Sequence, residues 1–216
     1  MCERMQRGRF ISLEGGEGAG KSTQARRLAE RLGAGGREVV LTREPGGSAG
    51  AEAIRSLLVE GDADRWSAVS ETLLMYAARR DHIERLIEPA LERGAWVISD
   101  RFMDSTRAYQ GAAGGAPTAL IEALELDVVG AVTPDLTLIL DMPVEAGLAR
   151  AAGRGAGEGR FESKGHGFHT RLRAAFLKIA EREPERCALL SAEGDLDVVA
   201  ARIWDVVAAR LEVSGG

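Results

Sequence analysis

The residues of the 216-residue chain with the clearest chemistry form a glycine-rich run that ends in a lysine and a serine. Residues 15–22 read GGEGAGKS and fit the pattern G-x-x-x-x-G-K-[ST], between a strand pattern and a helix pattern. Glycines let successive backbone N–H groups turn toward an anion, because no Cβ clashes. Lys21 would reach the β- and γ-phosphates of a nucleoside triphosphate, and Ser22 would ligate Mg²⁺. The run predicts a nucleoside triphosphate site but leaves kinases, GTPases and motor ATPases open.

Two charged segments follow other predicted strands. Residues 42–47 read TREPGG and contain Arg43, and residues 99–102 read SDRF and contain Asp100 and Arg101. Side chains at the carboxyl ends of parallel strands point toward the crevice where ligands bind. A guanidinium group can fork onto a phosphate, and a carboxylate can hold Mg²⁺ or its waters. We therefore predict that Arg43 and Arg101 bind a second phosphate and that Asp100 joins Ser22 at the metal.

A stretch from 153 to 167 is rich in glycine and charge and poor in apolar residues, which predicts a mobile loop that acts as a lid. Arginines in such a lid would neutralise the charge on a transferring phosphoryl group and exclude water. The predicted catalytic residues are Lys21, Asp100, Arg154 and Arg160. The predicted ATP-binding residues are Gly15, Gly16, Glu17, Gly18, Ala19, Gly20, Lys21, Ser22, Thr23 and Arg150.

Strand and helix patterns alternate along the chain and would bring these segments to one edge of a sheet. Strands are predicted at 9–14, 38–42, 95–99, 136–140 and 187–190. Helices are predicted at 21–32, 51–59, 67–93 and 198–211, with Pro89 as a kink or a new start and Pro143 in the first turn of a further helix. Strands separated by helices imply a parallel sheet covered on both faces. We predict an α/β fold of three layers, the P-loop NTPase fold, with a five-stranded parallel sheet, helices on both faces and a short lid, in one domain over 1–216.

Composition restricts the partners and the location. The net charge of −5 argues against a nucleic-acid partner, and the two cysteines, Cys2 and Cys187, lack metal-ligand spacing. The polar N-terminus is unlike a signal peptide, and no apolar run approaches the roughly 20 residues of a membrane span. We expect a cytoplasmic protein without membrane contact. We expect His82, His166 and His169 on the surface or in the lid.

Six segments share the order and spacing of one enzyme family. They are EGGEGAGKST at 14–23, TREPGG at 42–47, MYAAR at 75–79, DRF at 100–102, STRAYQG at 105–111 and PDLTLILD at 134–141. Together they resemble bacterial thymidylate kinase, of the P-loop nucleoside monophosphate kinase family. The resemblance implies transfer of the γ-phosphoryl group of ATP to dTMP, giving dTDP and ADP in dTTP biosynthesis. It also implies Mg²⁺ as cofactor, ATP and dTMP as partners, and a homodimer.

The resemblance also implies roles by position. Arg43 and Arg101 would clamp the acceptor phosphate, Glu14 would lie near the sugar 3′-hydroxyl, and Arg79 would read a thymine carbonyl. Tyr109 would pack on the deoxyribose. The implied dTMP-binding residues are Glu14, Arg43, Met75, Arg79, Arg101, Thr106, Tyr109 and Gln110.

The lid carries a further implication of the resemblance. Gly18 occupies the place where some thymidylate kinases have a catalytic arginine, and members that lack this arginine place one in the lid. Arg160 would be the main lid arginine, assisted by Arg150 and Arg154.

Two alternatives stay open from the residues. Met75 stands where the family often stacks a phenylalanine on thymine, so another nucleotide or a nucleoside is an alternative acceptor. A P-loop ATPase or GTPase switch would hydrolyse nucleotide without an acceptor, although the chain has no N-K-x-D motif for guanine recognition.

Overall fold

Five parallel strands form one sheet in the structure, a computed structural model that describes residues 7–62, 64–153 and 159–213. The strands are β1 (Phe10–Glu14), β2 (Val39–Arg43), β3 (Trp96–Asp100), β4 (Leu136–Asp141) and β5 (Cys187–Ser191). Their order across the sheet is β2-β3-β1-β4-β5. The predicted five-stranded parallel sheet is confirmed. Strands β2 and β3 end one residue later than predicted, so Arg43 and Asp100 are their last residues.

Helices connect the strands. In chain order they are α1 (Lys21–Ala34), α2 (Ala49–Val59), α3 (Ala68–His82), α4 (Glu88–Glu92), α5 (Met103–Thr106), α6 (Thr118–Val128), α7 (Val144–Ala152), α8 (Gly159–Glu162), α9 (His166–Arg182) and α10 (Leu196–Arg210). A π-helical segment, Ile83–Ile87, joins α3 to α4, and another, Arg107–Ala113, extends α5. Among the described residues, no helix has both the length and the apolar composition that crossing a membrane requires.

Alternate residues of the central strands point to opposite faces of the sheet. Leu13 of β1 packs in a cluster with Leu28 of α1 and Ile203 of α10. Phe10 of the same strand packs in a separate cluster with Tyr76 of α3. Both strands β1 and β4 are buried along almost their whole length, which explains why the apolar residues of β4 occupy both of its faces. The predicted arrangement of helices on both faces is therefore confirmed.

Two helical segments differ from the sequence-based prediction. The helix predicted over 67–93 remains helical from Ala68 to Glu92 but changes to the π-helical segment Ile83–Ile87 just before Pro89, the type of irregularity that accommodates a proline without its N–H. The stretch 153–167, predicted as a loop, contains α8 and the start of α9. Helices α5, α6 and most of α9 lie where no element was predicted.

A buried ion-pair network fixes the chain after β3 to the start of β5. Asp104 in α5 is fully buried, and its carboxylate lies 2.7 Å from Arg186 and 3.1 Å from Arg107. Cys187, next to Arg186, is a buried free thiol, and burial raises its pKa to about 12, so it is unreactive at neutral pH. Cys2 lies outside the described residues.

We expect Asp104→Ala to lower the free energy of unfolding by about 3–5 kcal/mol, because it removes the buried carboxylate of the network and leaves Arg186 with only the partly exposed Glu183 as an anionic partner. Urea denaturation followed by circular dichroism measures this change. Asp205→Ala, on the exposed side of α10, is the matched control and should change stability by less than about 0.5 kcal/mol. Equal stability of the two variants would contradict a structural role for the network.

Candidate active site

The glycine-rich run forms a loop between β1 and α1 whose backbone takes conformations that favour glycine. Gly15, Gly18 and Gly20 have φ values of 136°, 72° and 85°. Lys21, the first residue of α1, is buried, and its Nζ donates to the carbonyl oxygens of Gly15 at 3.1 Å and Gly16 at 2.8 Å. Burial and the nearby Arg101 lower the pKa of Lys21 to about 8. A phosphate in the loop would counter both effects and favour the charged lysine.

Gly18 packs directly against the backbone of α7. A Cβ built on Gly18 would lie 1.9 Å from the carbonyl oxygen of Gly147, and one on Gly147 would lie 2.5 Å from the carbonyl oxygen of Glu17. These contacts are between backbones, which cannot easily move. The chain therefore has no space at residue 18 for the arginine that some thymidylate kinases carry there.

Ser22 in the first turn of α1 and Asp100 at the end of β3, the two residues predicted to hold a metal, are in contact. The Ser22 hydroxyl donates to Oδ2 of Asp100, while Oδ1 of Asp100 is buried and has no hydrogen-bond partner among the described residues. A buried carboxylate oxygen without a partner is costly unless a ligand satisfies it. A hydroxyl beside a carboxylate is also the oxygen donor set that Mg²⁺ takes in phosphate sites. The residues present therefore fit a magnesium ion or its water.

One cleft beside the loop collects six of the residues expected to contact dTMP. It is lined by Met75, Arg79, Arg101, Thr106, Tyr109 and Gln110. They come from α3, the end of β3, α5 and the following π-helical segment. The carboxyl end of β3 and two helices thus build what we call the acceptor cleft.

Arg79 has an unsatisfied donor in this cleft. Its Nε donates to Glu44 at 2.8 Å, and its Nη2 donates to the carbonyl of Phe102 at 3.1 Å and to the Thr106 hydroxyl at 3.0 Å. Its Nη1 is buried without a hydrogen-bond partner among the described residues. Because native structures rarely leave such a donor unpaired, Nη1 is available to a ligand carbonyl.

Arg101 connects the acceptor cleft to the phosphate-binding loop. Its Nη1 lies 3.3 Å from the carbonyl oxygen of Gly15, and its Nη2 lies 3.1 Å from Oε1 of Glu17. The φ of Arg101 is 73°, a strained value for a residue with a Cβ, and such strain collects at functional sites. Tyr109 stacks below the guanidinium at 4.8 Å and donates its hydroxyl to Glu17 at 2.6 Å. Burial alone would raise the pKa of Glu17, but Arg101, Lys21 and the Tyr109 hydroxyl lower it to about 2.

Arg43 lies on the other side of the metal residues. It lines an open groove with Ser22 and Asp100, and its guanidinium pairs with the Glu52 carboxylate at 3.1 Å. Glu52 also accepts from the backbone N–H of Gly47 at 2.9 Å, which fixes the TREPGG turn under the arginine. Arg43 is thus at the carboxyl end of β2, where a ligand-binding arginine was predicted, but it lines this groove and not the acceptor cleft.

Comparisons with known proteins decide the family. A family model described as thymidylate kinase matches residues 13–203. The chain belongs to the thymidylate kinase family. It is 67% identical over 207 residues to a thymidylate kinase of Caulobacter vibrioides, covering 96% of this chain and 99% of that protein. It is 56% identical over 211 residues to a thymidylate kinase of Rhodopseudomonas palustris, covering 96% of this chain and 92% of that protein.

A solved structure agrees with the assignment to the thymidylate kinase family. The crystal structure of thymidylate kinase from Ehrlichia chaffeensis matches with a TM-score of 0.76 and 34% sequence identity, covering 93% of this chain and 99% of that one. The predicted P-loop NTPase fold is confirmed by this match together with the parallel sheet.

Glu14, which the thymidylate kinase resemblance placed near the acceptor sugar, does not reach the acceptor cleft. It is fully buried, and its carboxylate accepts from the backbone N–H groups of Phe102 and Ser105 and from the Ser105 hydroxyl. Burial and the neighbouring Asp104 raise its pKa to about 7. Glu14 instead supports the turn after β3, and the carboxylates that line the acceptor cleft are those of Glu17 and Glu44.

The predicted lid arginines have different surroundings. Arg160 is buried, and its Nη1 lies 2.5 Å from Oε2 of Glu71 in α3, so its guanidinium is paired there instead of pointing at Lys21. Arg150 donates to the carbonyl of Ala192, beside the end of β5. Arg154 lies outside the described residues.

Two of the three histidines are not on the surface. His82 is fully buried, with Nδ1 at 3.0 Å from Glu44 and Nε2 at 2.8 Å from the Thr42 hydroxyl, and His169 is also buried. The prediction was wrong for both because a single polar residue in a helix gives no sign of which face it occupies. His166 is exposed, as predicted.

Sequence reasoning missed Glu44, Phe161 and Glu71 and gave Glu17 a different role. Glu44 orients Arg79, and Glu17 was assigned only to ATP. Phe161 of α8 lines the acceptor cleft, and Glu71 pairs with Arg160. The four-residue spacing of Glu71, Met75 and Arg79 was the available signal, because it puts them on one face of a helix.

We expect Gly18→Ala to weaken ATP binding at least about tenfold, because the new Cβ overlaps the Gly147 carbonyl and the left-handed backbone costs a further 1–2 kcal/mol or so. Isothermal titration calorimetry with ATP measures the Kd. Gly33→Ala, in α1 where an added Cβ meets nothing within 4 Å, is the control and should bind ATP as the wild type does. Wild-type affinity in Gly18→Ala would show that α7 does not restrict the loop.

Proposed function

We propose that this protein transfers the γ-phosphoryl group of ATP to dTMP, giving dTDP and ADP. The observation that carries the proposal is that Glu17 of the glycine-rich loop and Arg101, which contacts that loop at Gly15 and Glu17, both line the acceptor cleft. A donor phosphate in the loop and an acceptor phosphate at Arg101 would therefore be neighbours. Phosphoryl transfer needs this arrangement of two phosphates end to end.

Positioning and charge account for most of the proposed catalysis. Lys21 binds the β- and γ-phosphates of ATP, and Arg101 and Arg43 bind the phosphate of the acceptor. A nucleoside monophosphate is already ionised near neutral pH, so its oxygen attacks without a strong general base. The fixed donors of the loop and the arginines stabilise the charge that develops during transfer.

The base end of the acceptor cleft suits thymine. Nη1 of Arg79 donates to a ring carbonyl, which is the role expected from its position. Met75 and Phe161, which line the cleft, provide apolar contact for a planar ring. The Thr106 hydroxyl accepts from Nη2 of Arg79 and so helps Glu44 to orient the guanidinium group.

The sugar lies between Glu17 and Tyr109 in this proposal. Glu17 takes the role first assigned to Glu14, since its ionised carboxylate lines the cleft and can accept from the 3′-hydroxyl. The Tyr109 ring is buried beside it and limits the space next to the sugar.

We propose that Ser22 and Asp100 hold Mg²⁺. The buried Oδ1 of Asp100, which has no partner within the described residues, supports this assignment. The ion would neutralise negative charge on the β- and γ-phosphates of ATP. We also propose that Arg150 and Arg154 act on the ATP side of the site. The cytoplasmic location stays a prediction.

We expect dTMP to give the highest kcat/KM among dTMP, dUMP, UMP, CMP, AMP and GMP in a coupled ADP-release assay with Mg²⁺ and ATP. Arg79→Lys should lower kcat/KM for dTMP by about 10–100-fold, because a lysine keeps a charge for Glu44 but loses the planar fork. Arg80→Lys, at the exposed neighbouring position, should not change it.

Each alternative has its own outcome in this assay. A higher kcat/KM with another monophosphate would show that this monophosphate, and not dTMP, is the preferred acceptor. ADP release at the same rate without any acceptor would favour a nucleotide-hydrolysing switch. Activity that survives removal of Mg²⁺ by EDTA would contradict the metal site.

We also propose a homodimer. Leu57 of α2, Val69 and Leu73 of α3, and Leu126 of α6 are exposed, and Leu126 is 77% exposed. Helix α3 packs against both α2 and α6, so these side chains lie on adjoining helices. Apolar side chains grouped in this way are typical of protein–protein interfaces, and a second copy of the chain is the occupant that the family resemblance implies.

We expect Leu73→Asp to convert the dimer to a monomer, because it puts a charge into the proposed apolar interface. Light scattering after size-exclusion chromatography measures the mass. Val198→Asp introduces the same charge at a similarly exposed site on α10 and should leave the dimer intact. A monomeric wild type, or a dimer in both variants, would contradict this interface.

A further inference from the structure

Glu71 of α3 is a buried carboxylate that contacts both Gln110, which lines the acceptor cleft, and Arg160 of helix α8. Its side chain is nearly inaccessible to solvent. Oε1 accepts from Nε2 of Gln110 at 2.8 Å, and Oε2 lies 2.5 Å from Nη1 of Arg160. One carboxylate thus holds a polar residue of the cleft and a cation of the lid.

The contact with Glu71 fixes which end of the Gln110 amide faces the cleft. A side-chain amide has a donor end and an acceptor end, and only the donor end is favourable against a carboxylate. Turning the amide over would put its carbonyl against Oε1 inside a low-dielectric interior, where an unpaired repulsive contact is expensive. Nε2 is therefore committed to Glu71, and the carbonyl is the end that Gln110 can direct at a ligand in the cleft.

A carbonyl at Gln110 discriminates between pyrimidines. Thymine has an N–H at ring position 3, next to a carbonyl at position 4. Cytosine has a lone pair at position 3, next to an amino group. The Gln110 carbonyl and the unpartnered Nη1 of Arg79 match the thymine pattern and oppose the cytosine pattern, since each would face a like group on cytosine.

Oε2, the second carboxylate oxygen of Glu71, connects helix α8 to the same cleft through Arg160. Besides its contact with Glu71, Arg160 donates to the backbone carbonyls of Leu58 and Asp62, both at 3.0 Å. The next residue, Phe161, lines the acceptor cleft, and its ring packs edge-to-face on Tyr109 with centroids 5.7 Å apart. Arg160 is accordingly an anchor for α8 in this structure.

We infer that Glu71 is a positioning residue for acceptor recognition: it orients the Gln110 amide toward a base with an N–H at position 3 and anchors Arg160 so that Phe161 covers that base. The inference rests on the proposed function, because it concerns how the proposed kinase selects its acceptor. Glu71 itself touches neither nucleotide.

The test compares dTMP with dCMP in the coupled ADP-release assay. In Glu71→Gln, the residue at 71 can donate or accept, so it no longer dictates the orientation of Gln110. The ratio of kcat/KM for dTMP to that for dCMP should fall about tenfold, and KM for ATP should stay within about twofold of wild type. Glu71→Asp keeps the charge and should recover part of the ratio.

The control pair is Arg80–Glu84, an Arg–Glu contact on the exposed side of the same helical region. Glu84→Gln should leave the dTMP to dCMP ratio and both KM values unchanged. An unchanged ratio in Glu71→Gln, or an equal rise of KM for ATP and dTMP, overturns the inference. If Glu71→Gln does not fold, Glu71→Asp decides, because its shorter side chain cannot reach both partners and its ratio must also fall. A wild type that does not phosphorylate dTMP would instead overturn the proposed function.

Discussion

The requirement to bring two phosphates together at one sheet edge explains most of the polar structure around the site. Phosphates repel each other, so cations must be fixed between and around them before either arrives. Burying a guanidinium group without an anionic partner would lower the stability of the fold by several kcal/mol. The protein answers with a carboxylate for each arginine. The buried pairs are Arg101–Glu17, Arg79–Glu44 and Arg160–Glu71, while Arg43–Glu52 is a solvent-exposed pair that mainly orients its arginine.

The carboxylates also hold the guanidinium groups in orientations in which they can bind a substrate. Glu44 engages Nε of Arg79 and leaves Nη1 for a ligand. Glu17 holds Arg101 against the phosphate-binding loop, and the strained φ of Arg101 persists because its N–H donates to Leu13 of β1 at 2.9 Å. The site is therefore ordered before substrates bind, which reduces the entropy that binding must overcome.

The sequence predicted those parts of the molecule that are encoded locally. The glycine-rich run, the strand ends with Arg43 and Asp100, and the five strands all depend on neighbouring residues and could be predicted from pattern alone. The partner of each arginine could not, because Glu71 and Arg160 are far apart in the chain and only folding brings them together. Glu14 and Glu17 were confused for a related reason. Both precede Lys21 in one motif, and a change of chain direction after β1 decides which carboxylate reaches the cleft.

Helix α3 unites these contacts because three of its residues share one face. Glu71, Met75 and Arg79 follow one another at four-residue intervals, and side chains with that spacing lie along one side of a helix. This face contacts helix α8 through Glu71, lines the acceptor cleft through Met75, and contacts the TREPGG turn through the pair of Arg79 with Glu44. His82, three residues further, adds a second contact to Glu44 and reaches Thr42 at the end of β2. A rotation of α3 would displace helix α8, the side chain of Met75 and the TREPGG turn together. The orientation of this one helix therefore sets the geometry of the acceptor cleft.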